Sequence, residues 1–100
     1  MEDLLNKEPV KRVFNIIKNF DSTLDVQVLD TSARTAKDAA SSLKTEVGSI
    51  VKSLLLRTKN SFLLCLVAGD KRCSLNKIKK ILNQKDISMA SANQVKEITG

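Results

Sequence analysis

The sequence predicts an α+β fold built on a largely non-parallel sheet. Stretches with apolar residues at helical spacing alternate with short apolar runs that are typical of strands. Two of these runs follow each other across a three-residue polar loop, which favours an antiparallel hairpin. The predicted order is α, β, α, β, β, α, a short ambiguous strand and α. A chain of 100 residues suffices for one small domain, so we expect a single domain over residues 1–100.

A first helix and a short strand are predicted in the N-terminal third. Pro9 suits the first turn of a helix, and apolar residues follow at intervals of three and four. The apolar face of this helix consists of Val10, Val13, Phe14 and Ile17. The polar run 21–23 ends the helical pattern, and the alternation in residues 25–30 predicts a strand around Val26 and Val28.

A second helix and the hairpin are predicted in the middle of the chain. Thr35, with Asp38 three residues later, is typical of a helix N-terminus whose hydroxyl and carboxylate satisfy backbone N–H groups. Small residues would let this helix lie close against a sheet; its predicted inner face is Ala36, Ala39, Ala40 and Leu43. The runs 49–57 and 61–69 are apolar at nearly every central position, so we expect both strands to be buried on both faces.

Two more helices are predicted in the C-terminal third. A turn at Gly69 precedes a helix that Ser74 caps. We expect four side chains of this helix to point inward: Leu75, Ile78, Ile81 and Leu82. Residues 86–90 are an ambiguous short strand. Ser91 and Gln94 form a capping-box pattern, and the final glycine suits the C-terminal cap of the last helix.

Charge and composition exclude several kinds of chemistry. The net charge of +6 favours anionic partners, nucleic acid before membrane surfaces. The chain contains no histidine, which removes Ser–His and Cys–His nucleophile pairs and a histidine base. Cys65 and Cys73 form no CxxC pair, so we expect no metal site and no cofactor, but two small apolar side chains in a reducing compartment.

Targeting signals are missing from the sequence pattern. The N-terminus has neither the basic start nor the apolar stretch of a signal peptide. No apolar run approaches the roughly 20 residues that a membrane-spanning helix requires. We therefore expect a cytoplasmic protein without a membrane partner.

A lysine interrupts the apolar run GSIVKSLLLR at residues 48–57. In a strand, alternation places Lys52 on the same face as Ile50, Leu54 and Leu56. One interpretation is a side chain whose stem lies on apolar surface while its ammonium reaches water. The other is a pocket lysine that presents its charge to an anionic or carbonyl group. The residues alone leave both open.

A run of cations without acids follows the hairpin. It consists of Lys71, Arg72, Lys77, Lys79, Lys80 and Lys85. Such a stripe can lie along a phosphate backbone, or it can be the solvated face of a helix. No aromatic residues are interleaved to stack bases, which argues against sequence-reading of single strands. Gly69 is either a turn glycine or a residue that presents its backbone to a ligand.

Four segments occur in order and at the spacing of a known family: RTAKDAASSL, VGSIVKSLLLR, FLLCLVAGDKRCSLNKIKKIL and MASANQVKEITG. From about Val10 to Gly100, the chain resembles the YbaK/ProX family of aminoacyl-tRNA editing domains, related to the insertion domain of bacterial prolyl-tRNA synthetases. The resemblance implies a compact, mixed, barrel-like sheet flanked by helices. It also implies hydrolysis of the ester that joins a wrong small amino acid to tRNA, commonly a tRNA for proline.

The resemblance also implies a site. The family's key lysine falls on Lys52, which would hold the acylated 3′ end of tRNA near the scissile ester without a protein nucleophile. Ile50 and Leu54 would shape a small pocket, and Gly69 is a further substrate-binding candidate. The tRNA-binding candidates are Lys71, Arg72, Lys77 and Lys80. An aminoacyl-tRNA synthetase and a second copy of the chain are further candidate partners.

The family pattern continues past Thr99 and Gly100 into a loop with glycine and proline, and then into further strands. We therefore expect a trans-acting deacylase domain that lacks the C-terminal part of the family fold, including a loop that supplies the pocket floor and backbone donors in the family. The alternatives are a non-catalytic module that binds tRNA or a synthetase, and a structural remnant.

Overall fold

The computed structural model describes residues 4–29 and 34–100. The chain divides into two compact units, Met1–Asp30 and Thr31–Gly100. Its helices and strands are α1 (Glu8–Phe20), α2 (Ala36–Leu43), β1 (Val51–Arg57), β2 (Phe62–Ala68), α3 (Leu75–Leu82), β3 (Ser88–Met89) and α4 (Ala92–Thr99), with 3-10 turns at Leu4–Asn6 and Val47–Ser49. The α+β class is confirmed. Within the described ranges, no helix has the length and apolar character needed to cross a bilayer.

The N-terminal unit is built around α1, which carries Pro9 in its first turn as predicted. The helix ends where the Asp21 carboxylate accepts hydrogen bonds from the Thr23 backbone N–H at 2.9 Å and from its hydroxyl at 2.6 Å. These bonds lower the pKa of Asp21. The ammonium of Lys18 lies 3.1 Å from the Asp25 carboxylate, which ties the following segment back to the helix.

The strand predicted around Val26 and Val28 is not formed. Residues 24–29 have no regular secondary structure, and Asp30 lies outside the described residues. The described sheet consists of β1, β2 and β3, none of which comes from this unit. Alternating side chains make a strand only where another strand offers backbone partners, and this segment has none in the described sheet.

The second unit begins with α2, whose N-terminus is capped as predicted. The Thr35 hydroxyl accepts a hydrogen bond from the Asp38 backbone N–H at 3.1 Å. Ala40 lies on the inner side of the helix and is only 2% exposed. The small residues thus allow the close packing that the sequence predicts, although Leu43 at the end of the helix remains 41% exposed.

The sheet is antiparallel and has the order β2-β1-β3. Its main part is the hairpin of β1 and β2, in which seven residue pairs run from Val51–Ala68 to Arg57–Phe62. The short β3 pairs with the end of β1. This junction is fixed by Arg57, whose guanidinium donates to the Asp86 carboxylate at 3.0 Å and to the Ser88 hydroxyl at 2.9 Å.

The core of the described residues is small, and the burial of the hairpin strands and of α3 differs from what the sequence predicts. Its buried apolar residues are Ala40, Leu55, Leu56 and Ile87. The hairpin strands are not buried on both faces, because Leu64 and Leu66 are 59% and 65% exposed. These leucines lie on the face of β2, an edge strand, that the described elements leave largely uncovered. Likewise, Ile81 of α3 points outward and is 80% exposed, against the inward direction that its spacing suggests.

The last two helices begin at the predicted signals, and α4 also ends at its predicted glycine. The Ser74 hydroxyl accepts from the Lys77 backbone N–H at 3.3 Å at the start of α3. At the start of α4, Ser91 and Gln94 form a complete capping box. The final Gly100 caps α4 with a φ of 77°, a conformation that favours glycine.

Gly69 is required by close packing. A Cβ atom at this position would overlap the Val47 carbonyl oxygen and would lie 3.0 Å from the Ala36 side chain. The Gly69 backbone N–H also donates to the Ile50 carbonyl at 2.6 Å, which extends the hairpin ladder by one residue. The turn interpretation of this glycine therefore agrees with the structure, since Gly69 and Asp70 do reverse the chain.

Replacing Gly69 should destabilise the second unit. We expect Gly69→Ala to lower the free energy of unfolding by about 1–3 kcal/mol, because the new methyl group must displace backbone atoms. Gly48→Ala is the matched control, since a methyl group there would meet only the Asp70 carboxylate, a movable side chain, at 3.1 Å. Urea unfolding followed by circular dichroism measures both. Equal losses in the two variants would contradict the close-packing explanation.

The junction at Asp86 should make stability depend on pH. The hydrogen bond and charge of Arg57, helped by Lys59 and Lys79, lower the pKa of Asp86 in the folded chain. A depressed carboxyl pKa adds stability that is present above the unfolded pKa of about 3.9 and is lost as the pH falls through the folded value. We therefore expect Asp86→Asn to reduce the fall in unfolding free energy between neutral and acidic pH.

The control for this prediction is Glu97→Gln, which removes an exposed carboxylate from α4. It should retain the wild-type pH dependence over the same interval. Identical pH profiles for the wild type and Asp86→Asn would show that the Arg57 contact contributes nothing to acid sensitivity.

Candidate functional site

The lysine that interrupts β1 is held by the backbone of the loop after β2. Lys52 is the second residue of β1 and lies opposite Val67. Its ammonium donates a hydrogen bond of 2.6 Å to the Lys71 carbonyl, and the side chain is half-buried. The charge is thus neither extended freely into water nor enclosed without a partner, which is the arrangement that a half-buried ammonium requires.

The loop that supplies this acceptor is closed by two backbone hydrogen bonds. The Gly69 N–H binds the Ile50 carbonyl, and the Lys71 N–H binds the Ala68 carbonyl at 2.9 Å. The chain therefore turns tightly after β2 and brings the Lys71 carbonyl back toward the start of β1. The Gly69 N–H is therefore used in the ladder, and Gly69 itself lies in the turn that follows β2.

The structure brings three sequence-predicted site residues around Lys52: Ile50, Gly69 and Lys71. We call Ile50, Lys52, Gly69 and Lys71 the lysine cluster. Leu54 lies one alternation further along the same strand, opposite Cys65. It borders a cavity of about 350 Å³ that is also lined by Leu55, Leu64 and Val95, and no member of the lysine cluster lines that cavity.

Two thiols lie beside the lysine cluster. The sulfur atoms of Cys65 on β2 and Cys73 before α3 are 3.9 Å apart, and both side chains are half-buried. Burial raises the pKa of the Cys73 thiol, and contact with Cys65 raises it further, whereas the nearby Lys52 charge lowers it. Both cysteines are free and only partly buried, so neither is the fully enclosed apolar side chain of a core. What the sequence does not indicate is their contact with each other.

The remaining tRNA-binding candidates lie along the chain from the lysine cluster into α3. Arg72 precedes the helix, Lys77 and Lys80 project from it, and all three are exposed. Lys79, which the sequence places in the same stripe, is half-buried. At about 1.5 Å per residue, the eight residues of α3 extend the basic surface by roughly 12 Å away from Lys52.

A second basic region at the other end of the hairpin was not found from the sequence. The loop after β1 and the segment after α3 line a cavity of about 430 Å³, to which Lys59 and Lys85 contribute. These lysines are far apart in the chain, and Lys59 was expected only to form part of a hairpin loop. No local pattern relates residues 58–61 to residues 84–86, which the fold brings together around this cavity.

Among residues 4–29 and 34–100, no group of three or more His, Cys, Asp or Glu side chains is placed to hold a metal ion. The chemical resources of the site are therefore an ammonium, backbone groups, two thiols and a surface of cations. Such a set suits the binding of an anionic ligand and its orientation by charge and hydrogen bonds.

Comparison with known proteins identifies the family to which the chain belongs. A family model for the aminoacyl-tRNA editing domain matches residues 30–100. The chain is 31% identical over 80 residues to the proline–tRNA ligase of Thermosipho africanus, an alignment that covers 80% of this chain and 14% of the ligase. It is 37% identical over 67 residues to the corresponding ligase of Kosmotoga olearia, covering 67% of this chain and 12% of that protein.

A solved structure extends the likeness to the fold. A crystal structure described as a candidate trans-editing enzyme for prolyl-tRNA synthetase is 33% identical and superposes with a TM-score of 0.82. The match covers 91% of this chain and 58% of that one, so the chain spans less than two thirds of the solved relative. The chain belongs to the aminoacyl-tRNA editing domain family. The family resemblance that the sequence motifs indicate is thereby confirmed.

Proposed function

We propose that this chain hydrolyses the ester bond of a mischarged tRNA in trans, and that the tRNA is one for proline carrying a small wrong amino acid. The observation that carries the proposal is the Lys52 ammonium, fixed 2.6 Å from the Lys71 carbonyl at the start of a basic surface. Family membership supplies the editing role in general. The similarity to proline–tRNA ligases supports the choice of tRNA.

Lys52 would act by binding and electrostatics. An ammonium has three N–H donors, and Lys71 takes one of them, so others can reach a phosphate or carbonyl oxygen of the acylated terminal adenosine. Water would attack the ester carbon, the carbonyl oxygen would gain negative charge, and the C–O bond to the ribose would then break. The ribose oxygen would take up a proton. A positioned cation favours the charge that develops in this step.

The apolar side of the site would select for size. Ile50 lies at the lysine cluster and Leu54 follows on the same face of β1. Ile50 would lie beside the ester, and Leu54 would contribute from the neighbouring cavity that it borders. Branched aliphatic side chains there favour a small amino acid over a large or charged one. The choice among alanine, cysteine, serine and threonine depends on a few atoms, and discrimination by one methylene group is worth only about 1–3 kcal/mol.

Lys71, Arg72, Lys77 and Lys80 would bind the tRNA backbone. Their side chains continue the positive surface from Lys52 along α3, and each phosphate contact releases counterions. Without interleaved aromatic residues, this surface would hold the backbone rather than read bases. We also propose a cytoplasmic location, where tRNAs are charged. An aminoacyl-tRNA synthetase or a second copy of the chain would bind at the exposed Leu64 and Leu66.

Removing the Lys52 charge should abolish most of the deacylation. We expect Lys52→Met, which keeps an apolar stem of similar length, to slow the hydrolysis of a proline tRNA mischarged with alanine by about 100-fold or more. A loss of this size is usual when one contact to the transition state is removed. Lys96→Met on α4 is the matched control and should stay within about twofold of wild type. Single-turnover release of radiolabelled alanine measures both, with correctly charged prolyl-tRNA as the specificity control.

The proposal fails if Lys52→Met and the wild type hydrolyse the mischarged tRNA at the same rate. Circular dichroism of each variant establishes that a lost activity does not reflect a lost fold.

The cations of α3 should govern tRNA affinity and its salt dependence. We expect Lys77→Gln combined with Lys80→Gln to weaken tRNA binding by about tenfold and to reduce the slope of log K against log salt by about 1.5. Lys37→Gln combined with Lys96→Gln removes the same charge from α2 and α4. Fluorescence anisotropy at several salt concentrations measures both pairs.

Equal weakening in the two double variants would contradict a localised binding surface and would leave net charge as the cause. The non-catalytic alternative makes a different prediction, namely salt-sensitive tRNA binding through α3 with no ester hydrolysis by the wild-type chain. The observation that favours this alternative is that the exposed cations lie on α3, a helix with its own Ser74 cap, and not on the strand that carries Lys52.

A further inference from the structure

The two thiols beside the lysine cluster have no role in the proposed hydrolysis. Cys65 and Cys73 are separated by eight positions in the chain and by 3.9 Å between their sulfur atoms. Each is half-buried, so each retains partial access to solvent. Two thiols in contact at a partly accessible place can be oxidised together, whereas a single buried thiol behaves as a small apolar side chain.

The structure shows which thiol would have to move. A disulfide has an S–S length of about 2.05 Å, so the two sulfur atoms must approach by roughly 2 Å. Cys65 lies in the middle of β2 and is held in the ladder opposite Leu54. Cys73 lies in the irregular segment between the turn after β2 and the start of α3. The movement would therefore fall on the segment 71–73.

The same segment holds Lys52. The Lys71 carbonyl, two residues before Cys73, is the acceptor of the Lys52 ammonium at 2.6 Å. The Lys52 charge also lies close enough to Cys73 to favour its thiolate, against the burial that raises the pKa of this thiol. Lys52 and Cys73 are thus coupled through the backbone of residues 71–73.

We propose that Cys65 and Cys73 are a redox modification site, in which a reversible disulfide displaces residues 71–73 and releases Lys52 from the Lys71 carbonyl. The consequence for activity, a slower deacylation by the oxidised chain, rests on the proposed function. Formation of the disulfide and the release of Lys52 do not rest on the proposed function. Reduction of the disulfide by a dithiol restores both thiols and the hydrogen bond.

The oxidation uses a hydroperoxide. One thiolate attacks an oxygen of the peroxide, the O–O bond breaks, and the leaving oxygen takes up a proton as water or an alcohol. The resulting sulfenic acid is attacked by the second thiol, which forms the S–S bond and expels water. The two thiols lose two electrons and the peroxide gains them. A dithiol reductant reverses the change through a mixed disulfide.

The first experiment tests the modification itself on the intact chain. After treatment with hydrogen peroxide, unreacted thiols are alkylated and the chain is weighed and mapped by mass spectrometry. We expect loss of two hydrogen atoms, a cross-link between the peptides of Cys65 and Cys73, and full reversal by dithiothreitol. Cys65→Ser and Cys73→Ser are the matched controls, and neither can form the internal bond. Cross-links only between different chains, or sulfinic and sulfonic acids only, would overturn the proposal.

The second experiment measures the reactivity of the Lys52 amine directly. Brief acylation of amines by an N-hydroxysuccinimide ester, quantified at each lysine, compares the reduced and oxidised chains. Release from the Lys71 carbonyl should increase labelling of Lys52 severalfold relative to Lys96 on α4. Unchanged relative labelling in the fully oxidised chain would overturn the coupling, even if the disulfide forms.

The third measurement separates this inference from the proposed function. We expect the oxidised chain to deacylate mischarged tRNA about tenfold more slowly than the reduced chain, and the Cys73→Ser variant to be insensitive to peroxide. If the reduced wild-type chain shows no hydrolysis while the disulfide forms and Lys52 labelling rises, the proposed function fails and the redox site stands. If the reduced and oxidised chains are equally active, the regulatory part of the inference fails.

Discussion

The register of the β1–β2 hairpin is the constraint on which the rest of the second unit depends. Each residue of β1 faces a fixed partner on β2, and the Gly69 N–H adds a further bond to the Ile50 carbonyl. A slip by one residue would transfer Lys52 to the opposite face and would bring Val51 to its place. The same slip would separate Lys52 from the Lys71 carbonyl. The position of the charge is therefore a property of the whole ladder.

The environment of Lys52 combines two requirements that usually conflict. A charge used for binding should be accessible, but a long flexible side chain loses entropy when it is held in one place. Here the side chain is half-buried on a strand whose alternation places Leu54 and Leu56 on the same face, and one backbone carbonyl fixes the ammonium. Because that carbonyl belongs to the loop before α3, any movement of the loop also changes the lysine. This linkage unites the proposed catalytic role and the proposed redox control.

Positive charge occurs at both ends of the hairpin, and α3 connects them. Its first residues follow Cys73 at the Lys52 end, and the segment after it meets the β1–β2 loop, where Lys59 and Lys85 line a cavity. Asp86 lies in this second region, but its carboxylate is engaged by Arg57 and offsets little of the surrounding charge. The proposed ligand, a tRNA, is a polyanion and would match this charge distribution.

The sequence by itself determined the local structure: the Thr35, Ser74 and Ser91 caps, the hairpin and the face of Lys52. These features depend on hydrogen bonds between residues three or four apart and on side-chain alternation, which neighbouring letters encode. The motifs also determined the family. Only the tertiary structure decided which apolar residues are covered, and the burial expected of Leu64 and Ile81 was wrong. The strand expected at Val26 was also wrong, because no strand of the described sheet pairs with that segment. The tertiary structure also decided the acceptor of Lys52, the thiol contact and the second basic region, because these join residues that no local pattern relates.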